Sequence, residues 1–274
     1  MGIQTELFDL TGKVALVTGG SSGIGKAIAG ALVQHGARVL VGSRSQEKVD
    51  AAARELDAIK DVSGEDPVAA GVSIDVSNAG SVQRAVRKAV DVFGGLHIVV
   101  NSAGVMCKKP TFDLTEEDFN NLYNTHVSGS LRVAQEAGHV FREQHEGCII
   151  NLASISSFVD LVEVAAYAAA KNAVLGLTRS LANEWAKYGI RTNAIAPGFV
   201  PTDINRKMIE GTDRGRRILE HTPMARFGVA EEIAGGAVYL ASSAGRFVNG
   251  HTLVIDGGYL ASGIGDSVAP WDKE

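Results

Sequence analysis

Short, nearly unbroken apolar runs alternate along this chain with longer amphipathic stretches, and few folds accept that rhythm. Runs such as Val14-Ala15-Leu16-Val17 and Ile149-Ile150 offer no polar face, so strands made of them must be covered on both sides. Strands are expected at 13–18, 38–42, 68–74, 97–100, 148–153, 192–196 and 252–255. Helices are expected over 23–34, 47–59, 82–93, 167–187 and 231–240. Thr115-x-x-Asp118 reads as a capping box that opens one long helix running toward Gln144. A strand–helix alternation of this kind predicts an α/β fold: a doubly wound parallel sheet with helices on both faces. Its ligand belongs beyond the carboxyl ends of the strands.

At 274 residues the chain has room for two domains, but no Pro/Ser-rich linker, charge block or repeat divides it. The expectation is a single catalytic domain over 11–260, with an N-terminal extension at 1–10 and a C-terminal tail at 261–274. Apolar residues make up 45% of the chain, ample for a large core. Net charge is −5 and the basic residues are scattered, which argues against nucleic acid or an anionic membrane as partner. The longest apolar runs fall well short of the ~20 residues that span a bilayer. Met1-Gly2 lacks the Ser or Thr that a myristoylation signal needs, since Glu6 fills that place. No secretory signal opens the sequence. Cys107 and Cys148 form no disulfide framework and no Cys/His spacing suggests a metal, so a reducing cytoplasm is the expected location.

Two features carry chemistry. Thr18-Gly19-Gly20-Ser21-Ser22-Gly23-Ile24-Gly25 lies between the first expected strand and helix, where a dinucleotide's pyrophosphate meets a helix N-terminus. Its glycines follow G-x-x-x-G-x-G rather than the commoner G-x-G-x-x-G. Tyr167 and Lys171 stand four residues apart and so share one helix face, with Ser154 upstream. A free phenol ionises near pH ~10, and lowering that by ~3 units takes ~4 kcal/mol of preference for the anion. One ammonium at ~5 Å, at an effective dielectric of about 20, supplies roughly 3 kcal/mol. Tyr-x-x-x-Lys alone is also an ordinary solvated helical pair; the company it keeps gives it weight.

Together with Asn101-Ser102-Ala103-Gly104 and Pro197-Gly198, these motifs resemble the short-chain dehydrogenase/reductase family, in order and spacing, from about Thr11 to Gly258. The resemblance implies a Rossmann-like domain with a seven-stranded parallel sheet, a nicotinamide cofactor, a small alcohol or ketone substrate and a homotetramer. Ser154, Tyr167 and Lys171 would be catalytic. Gly19, Ser21, Ser22, Gly23, Ile24, Gly25, Ala103 and Gly104 would hold the cofactor together with Tyr167 and Lys171. Asn101 would support the central strand, Asp75 and Val76 would border the adenine, and Pro197, Gly198, Val200 and Thr202 would face the nicotinamide.

At the end of the second strand an acid would bind the ribose of NAD, but Ser43 and Arg44 stand there. A hydroxyl beside a guanidinium suits a phosphate, which favours NADP over NAD. Members of the family usually carry an Asn three residues before the glycine at position 129; here that residue is His126. His126 either replaces the proton relay of that region directly or is a packed residue. Residues 199–227 read as a lid. Gly198–Arg206 and His221–Gly228 resemble members acting on sugar acids, gluconate 5-dehydrogenase and fructuronate reductases among them. The alternatives are a 3-oxoacyl-carrier-protein reductase and, from a different class, a dinucleotide-binding scaffold without turnover.

Overall fold

The protein is described here from a computed structural model, which covers residues 6–59 and 67–263. The expectations for residues 1–5 and for the tail beyond 263 lie outside the described residues. The strands are β1 (Val14–Thr18), β2 (Arg38–Ser43), β3 (Ala69–Ser73), β4 (Ile98–Asn101), β5 (Gly147–Leu152), β6 (Ile190–Pro197) and β7 (Thr252–Ile255). They form one seven-stranded parallel sheet in the order β3-β2-β1-β4-β5-β6-β7. Between them run α1 (Gly23–Gln34), α2 (Gln46–Asp57), α3 (Ala79–Phe93), α4 (Glu116–Tyr123), α5 (Gly129–Gln144), α6 (Ala165–Trp185), α7 (Arg206–Ile209), α8 (Asp213–His221) and α9 (Ala230–Ala241).

Register explains the two-sided core. Leu40, Leu16, Val99 and Ile149 pair across four strands and point to one face, where Ala89, Phe93, Ala137 and Phe141 of α3 and α5 cover them. Their neighbours Val41, Val17, Val100 and Ile150 point the other way, onto Ile28, Leu32, Leu56 and Ala237 of α1, α2 and α9. Every residue of β1, β4 and β5 is buried, which is why these strands read as unbroken apolar runs.

The order of strands reverses beside β1. The chain winds outward to β2 on one side and to β4 on the other, and the loops that follow β1 and β4 part to leave a crevice. Thr18 ties the two strand ends together: its Oγ1 donates to Val100 O (3.3 Å) and accepts from the amides of Ser102 (3.2 Å) and Ala103 (3.3 Å).

One element departs from expectation. The long helix toward Gln144 is interrupted: the Thr115–Asp118 capping box does open α4, but a wide turn of π type, Asn124–Ser128, separates it from α5. Such turns concentrate at functional sites. Here the turn places His126 inside the protein, at 3% exposure. Arg132 steadies it by donating to Asn124 Oδ1 (2.9 Å). Among the described residues no helix is long and apolar enough to cross a membrane, and no group of His, Cys, Asp or Glu is placed to hold a metal ion.

Candidate active site

A cleft of about 1370 Å³ runs along the carboxyl edge of the sheet. At one end lie Gly19, Ser21, Ser22, Gly23, Ile24 and Gly25, then Ser43, Arg44, Asp75 and Val76. Ala103, Gly104, Pro197, Gly198, Val200 and Thr202 line its middle, beside Ser154, Tyr167, Lys171 and His126. Residues 150 positions apart in the chain thus face one space. Asn101 does not line it. Its amide donates to Asn151 Oδ1 (2.9 Å) and Ser130 O (3.3 Å), tying β4 to β5 and α5 below the cleft floor.

The glycine turn is shaped for close approach. Gly19 has φ +67°, and a Cβ there would sit 2.7 Å from Ser102 O. A Cβ on Gly25 would run into the carbonyl of Gly19, so α1 could not start this close to β1 with any larger residue. Ser22 caps α1 without a side-chain hydrogen bond, which leaves the first amides of the helix facing the cleft.

At the far end of that groove the Ser43 hydroxyl is buried with no hydrogen-bond partner, next to the exposed guanidinium of Arg44 and near Lys48. The Asp75 carboxyl is held below its ordinary range, first by the hydroxyl and amide of Ser77, with Arg44 a smaller contributor.

Tyr167 and Lys171 sit on successive turns of α6, with the lysine Nζ 5.5 Å from the centre of the phenol ring. The ammonium donates to Leu152 O (2.5 Å), and Ser157 Oγ donates to Lys171 O (2.9 Å). These bonds, and only 6% exposure, fix the side chain's path. Burial pulls the lysine down to about 7. The expectation of a phenol made acidic by its neighbour is corrected here: burial pushes Tyr167 up, and only a hydrogen bond with Ser154 works against it.

His126 touches both the tyrosine and the loop after β4. Its ring meets the phenol edge to face, at 5.4 Å and 87°. Nε2 lies 2.8 Å from Val105 O and 3.2 Å from Val105 N, contacts that demand opposite protonation of that nitrogen. The shorter one assigns the proton to Nε2, donating to the carbonyl. Nδ1 is then a bare acceptor, buried without a partner. Burial first and the Lys171 charge second lower the imidazole to about 3, so the ring is neutral at physiological pH.

Residues 19–260 match the protein family described as enoyl-(acyl carrier protein) reductase. A 2-dehydro-3-deoxy-D-gluconate 5-dehydrogenase from Dickeya dadantii is 36% identical over 260 residues, 93% of this chain and 98% of that protein. A D-threitol dehydrogenase from Mycolicibacterium smegmatis is 40% identical, over 92% of this chain and 94% of the other. The crystal structure of a gluconate 5-dehydrogenase from Burkholderia cenocepacia, in complex with NADP and tartrate, superposes with a TM-score of 0.88 at 33% identity. It covers 94% of this chain and 99% of its own. The chain belongs to the short-chain dehydrogenase/reductase family. As a member it is an NAD(P)-dependent oxidoreductase that acts on CH–OH groups.

Sequence reasoning about this dehydrogenase passed over part of the substrate end of the cleft. Tyr259 lines it and packs edge-on against Phe199 (5.2 Å) and His221 (4.5 Å). Its only signal was its place directly after Asp256-Gly257-Gly258, where the positive φ of Gly257 and Gly258 turns the chain back toward the cleft. Cys107 does not line the cleft.

Proposed function

We propose that the protein interconverts a secondary alcohol and a ketone on a sugar acid or polyol, using NADP, with Tyr167 as general acid and base. The observation that carries this reading is the meeting of Ser154, Tyr167 and Lys171 at the middle of one cleft whose far end is a glycine cradle. The residues fit the cofactor. Gly19 and Gly25 leave a surface that a Cβ would fill, the amides at the start of α1 face outward, and Ser43 Oγ is an orphaned donor beside Arg44. That donor set suits the 2′-phosphate of NADP over the bare ribose of NAD. Asp75 and Val76 would border the adenine, and Pro197, Gly198, Val200 and Thr202 the nicotinamide.

When bound, the dinucleotide supplies the hydride donor or acceptor; the remaining work falls to the chain. Ser154 holds the substrate oxygen by a hydrogen bond. Tyr167, kept protonated by burial, gives its phenolic proton to that oxygen when a ketone is reduced. Lys171 fixes the tyrosine's helix face through Leu152 O. His126 contributes as a neutral partner, clamping Val105 and bracing the phenol ring.

That assignment of His126 is checked by His126→Asn. The pH limbs of kcat should stay where they are in wild type, because the ring keeps its single Nε2 proton and stays neutral across that range; a displaced limb would restore the proton-storing relay. The same variant should tolerate acid better. With a folded pKa of about 3 against an ordinary 6.5, the unfolded chain binds the proton more readily, so wild type loses stability as pH falls below 6.5. By pH 5 the loss from this one ring is about 2 kcal/mol, readable in urea unfolding at pH 7 and pH 5.

The sugar-acid or polyol reading draws on the relatives' activities and on a cleft whose substrate end mixes Asn121, Asn124 and Asn205 with apolar side chains. A panel of sugar acids, polyols and β-ketoesters with NAD and NADP tests it. Turnover of a sugar acid or polyol with NADP is expected. Preference for a β-ketoester would favour the acyl-carrier reading that the matched family's description suggests. Tight NADP binding with no turnover of any compound would favour the scaffold.

A homotetramer in the cytoplasm completes the proposal. The stacked, exposed Phe119 and Tyr123 of α4 and the small exposed residues Ala165 and Ala169 of α6, with half-buried Gly176, suit helix packing against further copies. Two unpaired cysteines suit a reducing compartment.

A further inference from the structure

Glu163 is the one acidic residue among the described residues with a left-handed backbone, at φ +70°. A side chain with a Cβ adopts that conformation at a cost, and it persists where surrounding contacts over-determine it. Here they do. The carboxylate oxygen Oε2 lies 3.1 Å from Lys108 Nζ and 3.3 Å from Arg214 Nη2. The Glu163 carbonyl accepts from the Lys109 amide (2.8 Å), and Arg214 also donates to Val162 O (2.7 Å).

These contacts join three segments that border the cleft. Lys108 and Lys109 follow β4, Glu163 closes the loop just before α6, and Arg214 belongs to the first turn of α8 in the lid. Val162, Val164 and Arg214 themselves line the cleft. Arg226 ties the end of the lid to Glu232 of α9 (2.6 Å), whereas Arg206 and Arg216 pair with acids on their own helices or the next turn. Among the described residues, Arg214 thus makes the ion pair that reaches from α8 to the facing loop.

We propose that Glu163 is a positioning residue that latches α8 over the substrate end of the cleft by holding Arg214 of the lid and Lys108 of the facing wall on one carboxylate oxygen. The proposal rests on reading that end of the cleft as the substrate site. Removing the negative charge does more than delete two attractions. It leaves two cations that had shared one oxygen facing each other, and their repulsion favours the open lid. The strained backbone marks the device: the position keeps a glutamate where glycine would be at ease, because the carboxylate is needed at that point.

Two variants separate charge from backbone strain. Glu163→Gln keeps the shape and the φ angle but loses the charge. Glu163→Gly loses the carboxylate and relieves the φ angle. Amide hydrogen exchange of Asp213–His221 is expected to quicken about 5- to 10-fold in both, while the sheet exchanges as in wild type. In wild type alone, added salt should quicken the same amides, since it screens the bridge. With a turned-over substrate, KM should rise about 5- to 10-fold in both variants, and NADP Kd and kcat should stay within about twofold. Unchanged exchange of α8 in both variants would overturn the latch, as would faster exchange spread evenly over the whole fold. The exchange measurement needs no substrate, so it judges the latch even if every compound in the activity panel fails and the proposed reaction falls.

Discussion

Tyr167→Phe should lower kcat/KM about 10³-fold while leaving the affinity for NADPH within about twofold. General acid–base catalysis by a positioned group contributes about 10² to 10⁴, and the substitution deletes the only proton that the phenol can give. The ring remains to pack against His126, and the glycine turn, Ser43 and Arg44 are untouched, so the fold and the dinucleotide groove persist. Isothermal titration with NADPH beside steady-state kinetics separates the two quantities. The raised phenol pKa should give the two directions of reaction different pH dependences. At neutral pH the group is already in the acid form that ketone reduction uses, whereas alcohol oxidation needs the phenolate. The oxidation rate should therefore climb through the alkaline range while reduction stays level near neutrality. A Phe variant that keeps most of its activity would remove Tyr167 from the chemistry and with it the proposed mechanism.

Ser43→Asp should reverse the choice of cofactor. The hydroxyl now at the tip of β2 is buried and unpartnered, and Arg44 stands beside it with its guanidinium exposed. A carboxylate in that place would face the 2′-phosphate, and two like charges about 4 Å apart at an effective dielectric of about 20 repel by about 4 kcal/mol. It would also compete for Arg44, whose charge-assisted bonds to phosphate contribute about 1.5–3 kcal/mol. Against this, the same carboxylate accepts hydrogen bonds from the ribose hydroxyls of NAD. The ratio of kcat/KM for NADP over NAD is expected to fall about 10³-fold, most of it through the KM for NADP. If the ratio stays put, the phosphate is not read at the end of β2 and the preference for NADP has another origin.

Much of this fold can be read from residue order because it is set by local rules. A strand covered on both faces must be apolar throughout, and β1 and β5 announce themselves in that way. Tyr167 and Lys171 share a helix face by spacing alone, and the glycines of the turn are required wherever a helix starts against a strand end. The limits of such rules show at the break between α4 and α5. Helix propensity and a capping box predict continuity through Asn124–Ser128, and the wide turn forms because His126 packs inward against Val105 and Tyr167.

What the order of residues determined by itself was the doubly covered strands, the glycine turn between the first strand and helix, and the shared helix face of Tyr167 and Lys171, since each follows from contacts along one strand, turn or helix. The rest of the site set came from the family resemblance. Only the tertiary structure decided how those groups ionise and what closes over them. Burial raises the Tyr167 phenol, brings Lys171 to about 7 and holds His126 neutral, outweighing the attraction that spacing alone suggested. Glu163 gains its meaning from Lys108 and Arg214, which stand far from it in the chain. Desolvation and ion pairing depend on what the rest of the molecule brings within a few ångströms, and no local pattern carries that information.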